Sequence, residues 1–442
     1  MGATVRRRWY RRRWVRVLFG CLTTVLILLG IAGFALYRAM TSVARPGPVW
    51  EGPLTPEQRE EIFDALWTTV YRHYSYLELK GIDWKARRAT YWPQAQAAPD
   101  DVAFYRVLER MVASLDDGHT RLIFYPGQEP VTTPPLTLGW VEEQYVVLEV
   151  DDALTDQVKP GDRPTAVDGR PVAEVAAELR PYIGEATEVR RQRRIARSLL
   201  SGPPATTVAA TFVRPDGTQY TVALERPDPE PGSPGAGPLP SQVSSREIDG
   251  FGYIRIASWS GDAVYGFDQT LEQFRDAPGL IIDVRGNGGG NDMLASQVAG
   301  RLFTEKQFFA RCRFRVYPFW TPAFRRYVEP RGPWTYTGPV VLLIDEGVYS
   351  SNDFFVGGLA RSGRVTTVGR PTGAGSANPE IFTLPGGAQL RLSRWIEYFA
   401  DGTPVEGNGT RPDIEVILTI ADIAAGRDPD LETALAVLRG ER

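Results

Sequence analysis

The stretch Pro339–Gly363, PVVLLIDEGVYSSNDFFVGGLARSG, changes character twice. Its first part is a short, continuous apolar run, as in strands buried on both faces. Its last part, NDFFVGGLA, carries Asp353 in what reads as the first turn of a helix, and Gly363 follows as a stop. The tight turn between them holds Ser350 and Ser351. Such a unit projects its turn from the carboxyl end of a sheet, in front of backbone N–H groups that can stabilise an oxyanion. A serine there is either a nucleophile or an ordinary helix cap, and the stretch alone leaves both open. It does imply an α/β fold built on a strand–turn–helix.

A second turn of the same kind lies upstream. LEQFRDAPGLIIDVRGNGGGN runs from a helix into a buried strand and then into three successive glycines, Gly288 to Gly290. Without Cβ atoms, such a turn lets backbone approach a ligand closely and offers N–H donors. One reading is a dinucleotide loop, begun by Gly286-x-Gly288, but Asn291 stands where its third glycine belongs. Glu305 lies at a workable distance for a ribose contact. The other reading joins the two turns as halves of one oxyanion hole, formed by the N–H groups of Ser351 and Gly288 or Gly289.

Around these turns the chain divides by texture. Seven arginines precede an uncharged apolar run from Val17 to Tyr37, about 30 Å long as a helix and so able to span a bilayer core. The arginines favour the cytoplasmic side, which puts the rest outside. A cleaved signal peptide is the competing reading, and the run is long for one. The expected organisation is residues 1–40 cytoplasmic Arg cluster and transmembrane signal-anchor, 41–134 helical subdomain, 135–226 PDZ-like β-rich insert, 227–242 Pro/Gly linker, and 243–442 α/β core.

In the helical part, Thr55-Pro56-Glu57-Gln58 makes a capping box, followed by Ile62, Leu66 and Val70 at helical spacing. A second helix is expected from about Asp101, with Phe104, Leu108, Val112 and Leu115 on one face and Gly118 closing it. WVEEQYVVLEV alternates as a strand does, and TTVAATFVRPDGTQYTVALER reads as a hairpin. KPGDRPTAVDGRPV resembles the turn–strand–turn–helix segment of PDZ domains, which capture an extended peptide as an added strand.

The chain's net charge is −3, which gives nucleic acid no bulk electrostatic attraction. Only Cys312 remains beyond the apolar run, so an intrachain disulfide is excluded there. Two histidines and two cysteines far apart give no metal-ligand spacing, and neither metal nor cofactor is expected. Lysine occurs only at positions 80, 85, 159 and 306.

GYIRIASW, LIIDVRGNGGGN, LIDEGVYSSNDFFVGGLA, VGRPTGAG and PVEGNGTRPDIEV resemble successive motifs of the C-terminal-processing and tricorn-type serine protease superfamily. YSYLELKGIDW and LDDGHTRL are similar to its helical part, and the PDZ-like insert sits where that family often carries one. The resemblance implies Ser350 as nucleophile in a Ser-x-x-acid motif closed by Asp353. In the C-terminal-processing branch a lysine in the VGRPTGAG turn is the base; here Gly375 occupies that position, and no lysine follows Lys306. The tricorn-type branch uses a histidine, matched by His119, and a glutamate, matched by Glu406. That branch has a serine before its histidine where this chain has Gly118, so Asp116 or Asp117 could orient the imidazole instead.

The expectation is therefore a membrane-anchored, extracytoplasmic serine endopeptidase acting on proteins or peptides. Ser350 attacks, His119 is the base with an ordinary pKa near 6.5–7, and Glu406 supports it. A non-catalytic peptide- or hydrophobic-ligand-binding protein on the same fold is the rival, and a nucleotide-binding oxidoreductase a distant third.

Overall fold

The computed structural model describes residues 50, 52–228 and 241–442, with positions 23, 24, 27 and 30 nearer the N-terminus. The expected membrane run Val17–Tyr37 and most of the linker fall outside the described residues. Among those described, no helix is long and apolar enough to cross a membrane.

The helical part comprises α1 (Pro56–His73), α2 (Trp84–Gln96) and α3 (Asp101–Ala113), then strand β1 (Arg121–Phe124). The capping box at Thr55 and Gln58 is present at the start of α1. Ile62, Leu66 and Val70 are fully buried, as their spacing requires. Helix α3 stops at Ala113, before the expected Gly118. Asp116, not a glycine, takes the left-handed conformation there (φ 51°), which an aspartate tolerates better than most residues. His73, the other histidine, is a packing residue, its ring stacked on Phe382 at 5.1 Å.

The β-rich insert contains β2 (Leu136–Val141), β3 (Gln144–Val150), β4 (Arg163–Val167), β5 (Arg170–Pro171), helices α4 (Val172–Leu179) and α5 (Glu188–Ser198), and the hairpin β6 (Thr207–Val213) and β7 (Gln219–Glu225). The alternating WVEEQYVVLEV run is not one strand. Glu142 and Glu143 adopt φ of 51° and 57°, a two-residue reversal that folds β2 onto β3. Helix α5, EVRRQRRIARS, buries only Ile195 and Ala196 and turns a row of arginines toward the rest of the protein.

The remainder holds β8 (Val243–Ile248), β9 (Phe251–Ile256), α6 (Ala263–Gln273), β10 (Leu280–Asp283), α7 (Asp292–Ala299), β11 (Gln307–Val316), β12 (Phe319–Trp320), β13 (Phe324–Val328), β14 (Val340–Ile344), α8 (Ser351–Arg361), β15 (Thr366–Gly369), β16 (Glu380–Thr383), β17 (Gln389–Leu392), β18 (Trp395–Phe399), β19 (Ile414–Glu415), α9 (Ile420–Ala424) and α10 (Pro429–Leu438). Six strands form one sheet in the order β19-β15-β14-β10-β9-β8. All neighbours are parallel except the edge pair β8–β9. Every residue of β14 is buried because both faces are covered. Ile282 and Leu342 pack with Phe267, Val298 and Phe355 on one side, and Ile281 and Leu343 pack toward Ala434 on the other.

Two further pairings position the histidine loop. Strand β1 joins β17 and β16 in a small sheet. The helices also share one apolar cluster with Phe382, Leu390 and Ile396 of the C-terminal part. The loop 114–120 is thereby fixed against the carboxyl end of the large sheet, although it is remote from it in sequence.

Candidate active site

Strand β14 delivers the serine turn to the rim of the sheet. Ser350 has φ 60° and ψ −125°, a conformation that L residues rarely adopt and that persists only when its surroundings enforce it. Here its N–H donates to the Gly375 carbonyl (2.7 Å), and its carbonyl accepts from Phe354 N–H (3.3 Å). The adjacent Tyr349 N–H donates to the Asn287 carbonyl (3.2 Å). The two neighbouring hydroxyls have different fates. Ser351 Oγ is buried and donates to the Gly290 carbonyl at 2.7 Å. Ser350, half-buried on a cavity wall, has no side-chain hydrogen bond among the described residues.

Asp353 is completely buried and accepts from the Thr372 hydroxyl and from Gly375 N–H (2.9 Å). It clamps the VGRPTGAG turn against α8. Burial pushes its carboxyl up to about 7 against the pull of those two donors.

The Gly-rich turn lies directly against this one. A Cβ on Gly289 would stand 2.7 Å from the Tyr349 carbonyl oxygen and 2.8 Å from Ser350 Cβ, so only glycine permits the approach. Two buried asparagines fasten the turns together. Asn352 Nδ2 donates to the Val284 and Asn287 carbonyls (3.1 Å each), and its Oδ1 accepts from Trp259 Nε1 (3.1 Å). Asn287 Oδ1 accepts the Gly289 N–H at 2.9 Å. That bond corrects one expectation: the Gly289 N–H is already committed and is not a free oxyanion donor. Ser351 and Gly288 remain, both on the cavity wall and neither with a backbone acceptor among the described residues. Because the glycine turn is packed onto the serine turn, the dinucleotide-loop reading receives no support here.

His119 lies on the same cavity of ≈ 820 Å³ as Ser350. It is 2 % exposed, and neither ring nitrogen has a hydrogen-bond partner among the described residues. Its ring stacks on Tyr349 with centroids 4.4 Å apart. Burial lowers its pKa to about 3, although Asp117 pulls the other way. The imidazole is therefore neutral at any ordinary pH in this arrangement, and its charged form lacks a partner until water, substrate or a ring movement supplies one.

The residues expected to orient it behave differently from one another. Asp116 turns outward and accepts from Arg191 at 2.5 Å, so it does not serve the ring. Asp117 is buried and accepts from the His119 backbone N–H (2.9 Å), the Thr120 hydroxyl (2.6 Å) and the Ser393 hydroxyl (2.5 Å). Its carboxylate stands 4.0 Å from His119 Nδ1, too far for a hydrogen bond. Burial opposes its ionisation, but Lys80 and the two hydroxyls hold its pKa below the ordinary value. Glu406 makes no hydrogen bond with His119. Its Oε1 accepts from Lys80 Nζ at 2.6 Å, while Oε2 is buried without a partner among the described residues. Burial raises Glu406 to about 8 despite Lys80.

Three residues of this arrangement escaped the sequence reading. Lys80 also donates to the carbonyls of Leu115 (3.3 Å) and Asp116 (2.6 Å), so its ammonium holds the histidine loop. Tyr349 fills the space that the two departures from the family pattern leave. A Cβ on Gly375 would lie 2.0 Å from its ring, and one on Gly118 would lie 2.7 Å from its hydroxyl. Glu185, from the insert, is the third: that same Gly118 Cβ would lie 2.2 Å from its carboxylate oxygen. It accepts from Arg190 (3.0 Å) and Arg194 (2.9 Å), and the Arg190 guanidinium carbon stands 3.6 Å from the Tyr349 ring centroid. The arginine row of α5 was the available signal for this contact.

Comparison with known proteins agrees with this architecture. Residues 250–416 match Peptidase family S41, and residues 55–113 match the Tricorn protease C1 domain. The chain is 26 % identical over 395 residues to tricorn protease homolog 2 of Streptomyces coelicolor, covering 80 % of this chain and 30 % of that one. It is 23 % identical over 368 residues to the carboxyl-terminal-processing protease of Synechocystis, covering 76 % and 77 %. The chain thus spans under a third of the first relative's length and about three quarters of the second's. The structure of mature CPAF complexed with lactacystin superposes with a TM-score of 0.71 at 17 % identity, covering 87 % of this chain and 98 % of that one. The photosystem II D1 C-terminal processing protease superposes with a TM-score of 0.52 at 20 % identity, covering 87 % and 98 %. The chain thus carries a segment that matches peptidase family S41, preceded by one that matches the tricorn C1 domain.

Proposed function

We propose that this chain is a serine endopeptidase in which Ser350 is the nucleophile and His119 the general base. One observation carries the reading: Ser350 is held in a strained turn, on the cavity wall that also presents His119 and the backbone N–H groups of Ser351 and Gly288. In this reading Ser350 Oγ attacks the scissile carbonyl as the neutral imidazole takes its proton. The developing oxyanion receives the two N–H donors, and the imidazolium then returns the proton to the leaving amine. Asp117, ionised and 4.0 Å from Nδ1, stabilises the imidazolium, with Lys80 and Glu406 holding the loop behind it.

The proposal extends to location and substrate delivery. The arginine cluster and the Val17–Tyr37 run support an anchor with the catalytic part outside the cytoplasm, and the β-rich insert at 135–226 supports a PDZ-like module that presents an extended peptide. Fractionation tests the anchor: full-length protein stays with membranes through carbonate washing, and release by that wash rejects it.

A second reading, peptide binding without catalysis, is favoured by the Tyr349 ring stacked on His119 and by the absence of a Ser350–His119 hydrogen bond among the described residues. Fluorophosphonate labelling separates the two. Covalent labelling at Ser350 supports the peptidase; an unlabelled chain that still binds peptide is the alternative.

A further inference from the structure

The cavity that holds Ser350 and His119 is strongly basic, in a chain whose net charge is −3. Arg121, Arg190, Arg194, Arg197, Arg326 and Arg391 line it, against only two carboxylates, Glu185 and Asp292. Both carboxylates are committed. Glu185 binds Arg190 and Arg194, and Asp292 binds Arg326 at 2.9 Å. Arg121, Arg197 and Arg391 make no ion pair or side-chain hydrogen bond among the described residues.

The placement of two of these arginines is costly. Arg121 of β1 and Arg391 of β17 sit directly opposite each other in an antiparallel pair, where like charges repel. Two buried carboxylates relieve this only in part, Glu185 acting on Arg121 and Asp117 on Arg391, because both are engaged elsewhere. Glu185 is taken by two arginines, and Asp117 by a backbone N–H and two hydroxyls. Although Arg121 is exposed to the cleft, partial loss of water, then Arg194 and Arg391, lower its guanidinium to about 10. Arg121 is also only two residues from His119. A cleft that gathers unpaired guanidinium groups beside the reacting groups is complementary to a carboxylate, which accepts two N–H bonds from one arginine.

We infer that the cleft selects acidic peptide substrates, with Arg121 and Arg391 receiving an Asp or Glu side chain close to the scissile bond. This names the substrate class of the site proposed above and rests on that reading. The rival source of the same carboxylate chemistry is the free C-terminus of a peptide.

The test uses the full chain and fluorescent decapeptides that differ only in Glu and Asp against Gln and Asn around the cleavage point, each made with a free and an amidated C-terminus. Acidic peptides are expected to be cleaved with kcat/KM at least about tenfold above their amide counterparts, whichever C-terminus they carry. In Arg121→Gln and Arg391→Gln that ratio falls toward one, and Arg121→Glu shifts preference to Lys-containing peptides, which mere loss of folding cannot imitate. Equal cleavage of acidic and neutral peptides overturns the inference and leaves the peptidase standing. Dependence on the free C-terminus alone overturns it in favour of the rival. Absence of both cleavage and fluorophosphonate labelling rejects the peptidase. The inference is then still tested by fluorescence anisotropy on Ser350→Ala: acidic peptides must bind about tenfold more tightly than neutral ones, and equal binding overturns it.

Discussion

The serine turn and the histidine turn face each other across one cavity but are built by opposite rules. Around Ser350, Asn287, Asn352, Asp353 and Thr372 are all hydrogen-bonded, and the strain at Ser350 is enforced by a closed network. Around His119, four buried polar atoms have no partner among the described residues: both imidazole nitrogens, the Tyr349 hydroxyl and Glu406 Oε2. Unmade buried hydrogen bonds cost on the order of 1–3 kcal/mol each. The contrast teaches that one half of the site is finished in this structure, while the other holds unmet bonding capacity that substrate, water or a ring movement can satisfy.

The sharpest way to break the comparison is to remove the reacting groups themselves. Ser350→Ala is expected to lower kcat on the order of 10⁴-fold or more, and His119→Ala to reach a similar floor, with the double variant little lower. Ser351→Ala keeps its backbone N–H and loses only the bond to Gly290, so its stability falls by about 1 kcal/mol and most activity remains. Steady-state kinetics and denaturant melts measure all four. A dead Ser351→Ala beside an active Ser350→Ala reverses the assignment of the two serines.

Next in size is the support behind the histidine loop. Lys80→Met removes three donations at once and leaves Glu406 buried without its cation. The expected loss is about 3 kcal/mol, reduced to the extent that Glu406 takes up a proton, as its raised pKa favours. Lys80→Met/Glu406→Gln should recover part of it. Chemical denaturation of the four proteins in this cycle gives the coupling, and strict additivity removes the pair from the loop's support.

These two levels also mark what the sequence made legible. The serine turn is encoded locally: apolar strand, tight turn and capped helix occupy one continuous stretch, and the Gly-rich turn has its own signature. Both were readable because their reasons lie within a few residues. The histidine turn is assembled from α1–α3, the insert and the C-terminal strands. Lys80 meets Glu406 across 326 positions, and nothing local at either residue announces the other. Glu406 was placed by resemblance beside the histidine, yet packing gave it to Lys80. Gly118 read as a helix stop because glycine after an apolar face usually is one. Its actual reason is steric and distant, the carboxylate of Glu185.

That steric reason can be tested in turn. Gly118→Ala drives a methyl group into Glu185 and the Tyr349 hydroxyl, and overpacking of this kind costs about 1–3 kcal/mol. Glu185→Ala opens the space, so the double variant should be less destabilised than the sum of the single ones. If thermal melts show Gly118→Ala unchanged, the insert does not press on the histidine loop as described, and the unfinished half of the site is looser than this structure has it.

The smallest and most discriminating effect is in the pH profile. The acidic limb of kcat/KM reports the base in the free enzyme. An exposed imidazole gives a limb near pH 6.5, as the sequence alone leads one to expect. Burial under Tyr349 holds His119 neutral down to about pH 3, because the charged form has lost its water and gained no hydrogen bond. The limb should therefore lie well below 6.5. The same shift has a stability consequence of definite sign. Between about pH 3 and 6.5 the unfolded chain binds a proton at His119 that the folded chain refuses, so folding stability falls as pH falls through that window. Tyr349→Ala admits water to the ring. It should raise the limb toward 6.5 and flatten the acid loss of stability, whatever it does to the rate. A wild-type limb already at 6.5–7 means that the free enzyme works with its histidine turn open, and the stacked arrangement is then a resting state from which Tyr349 must swing before Ser350 can be activated.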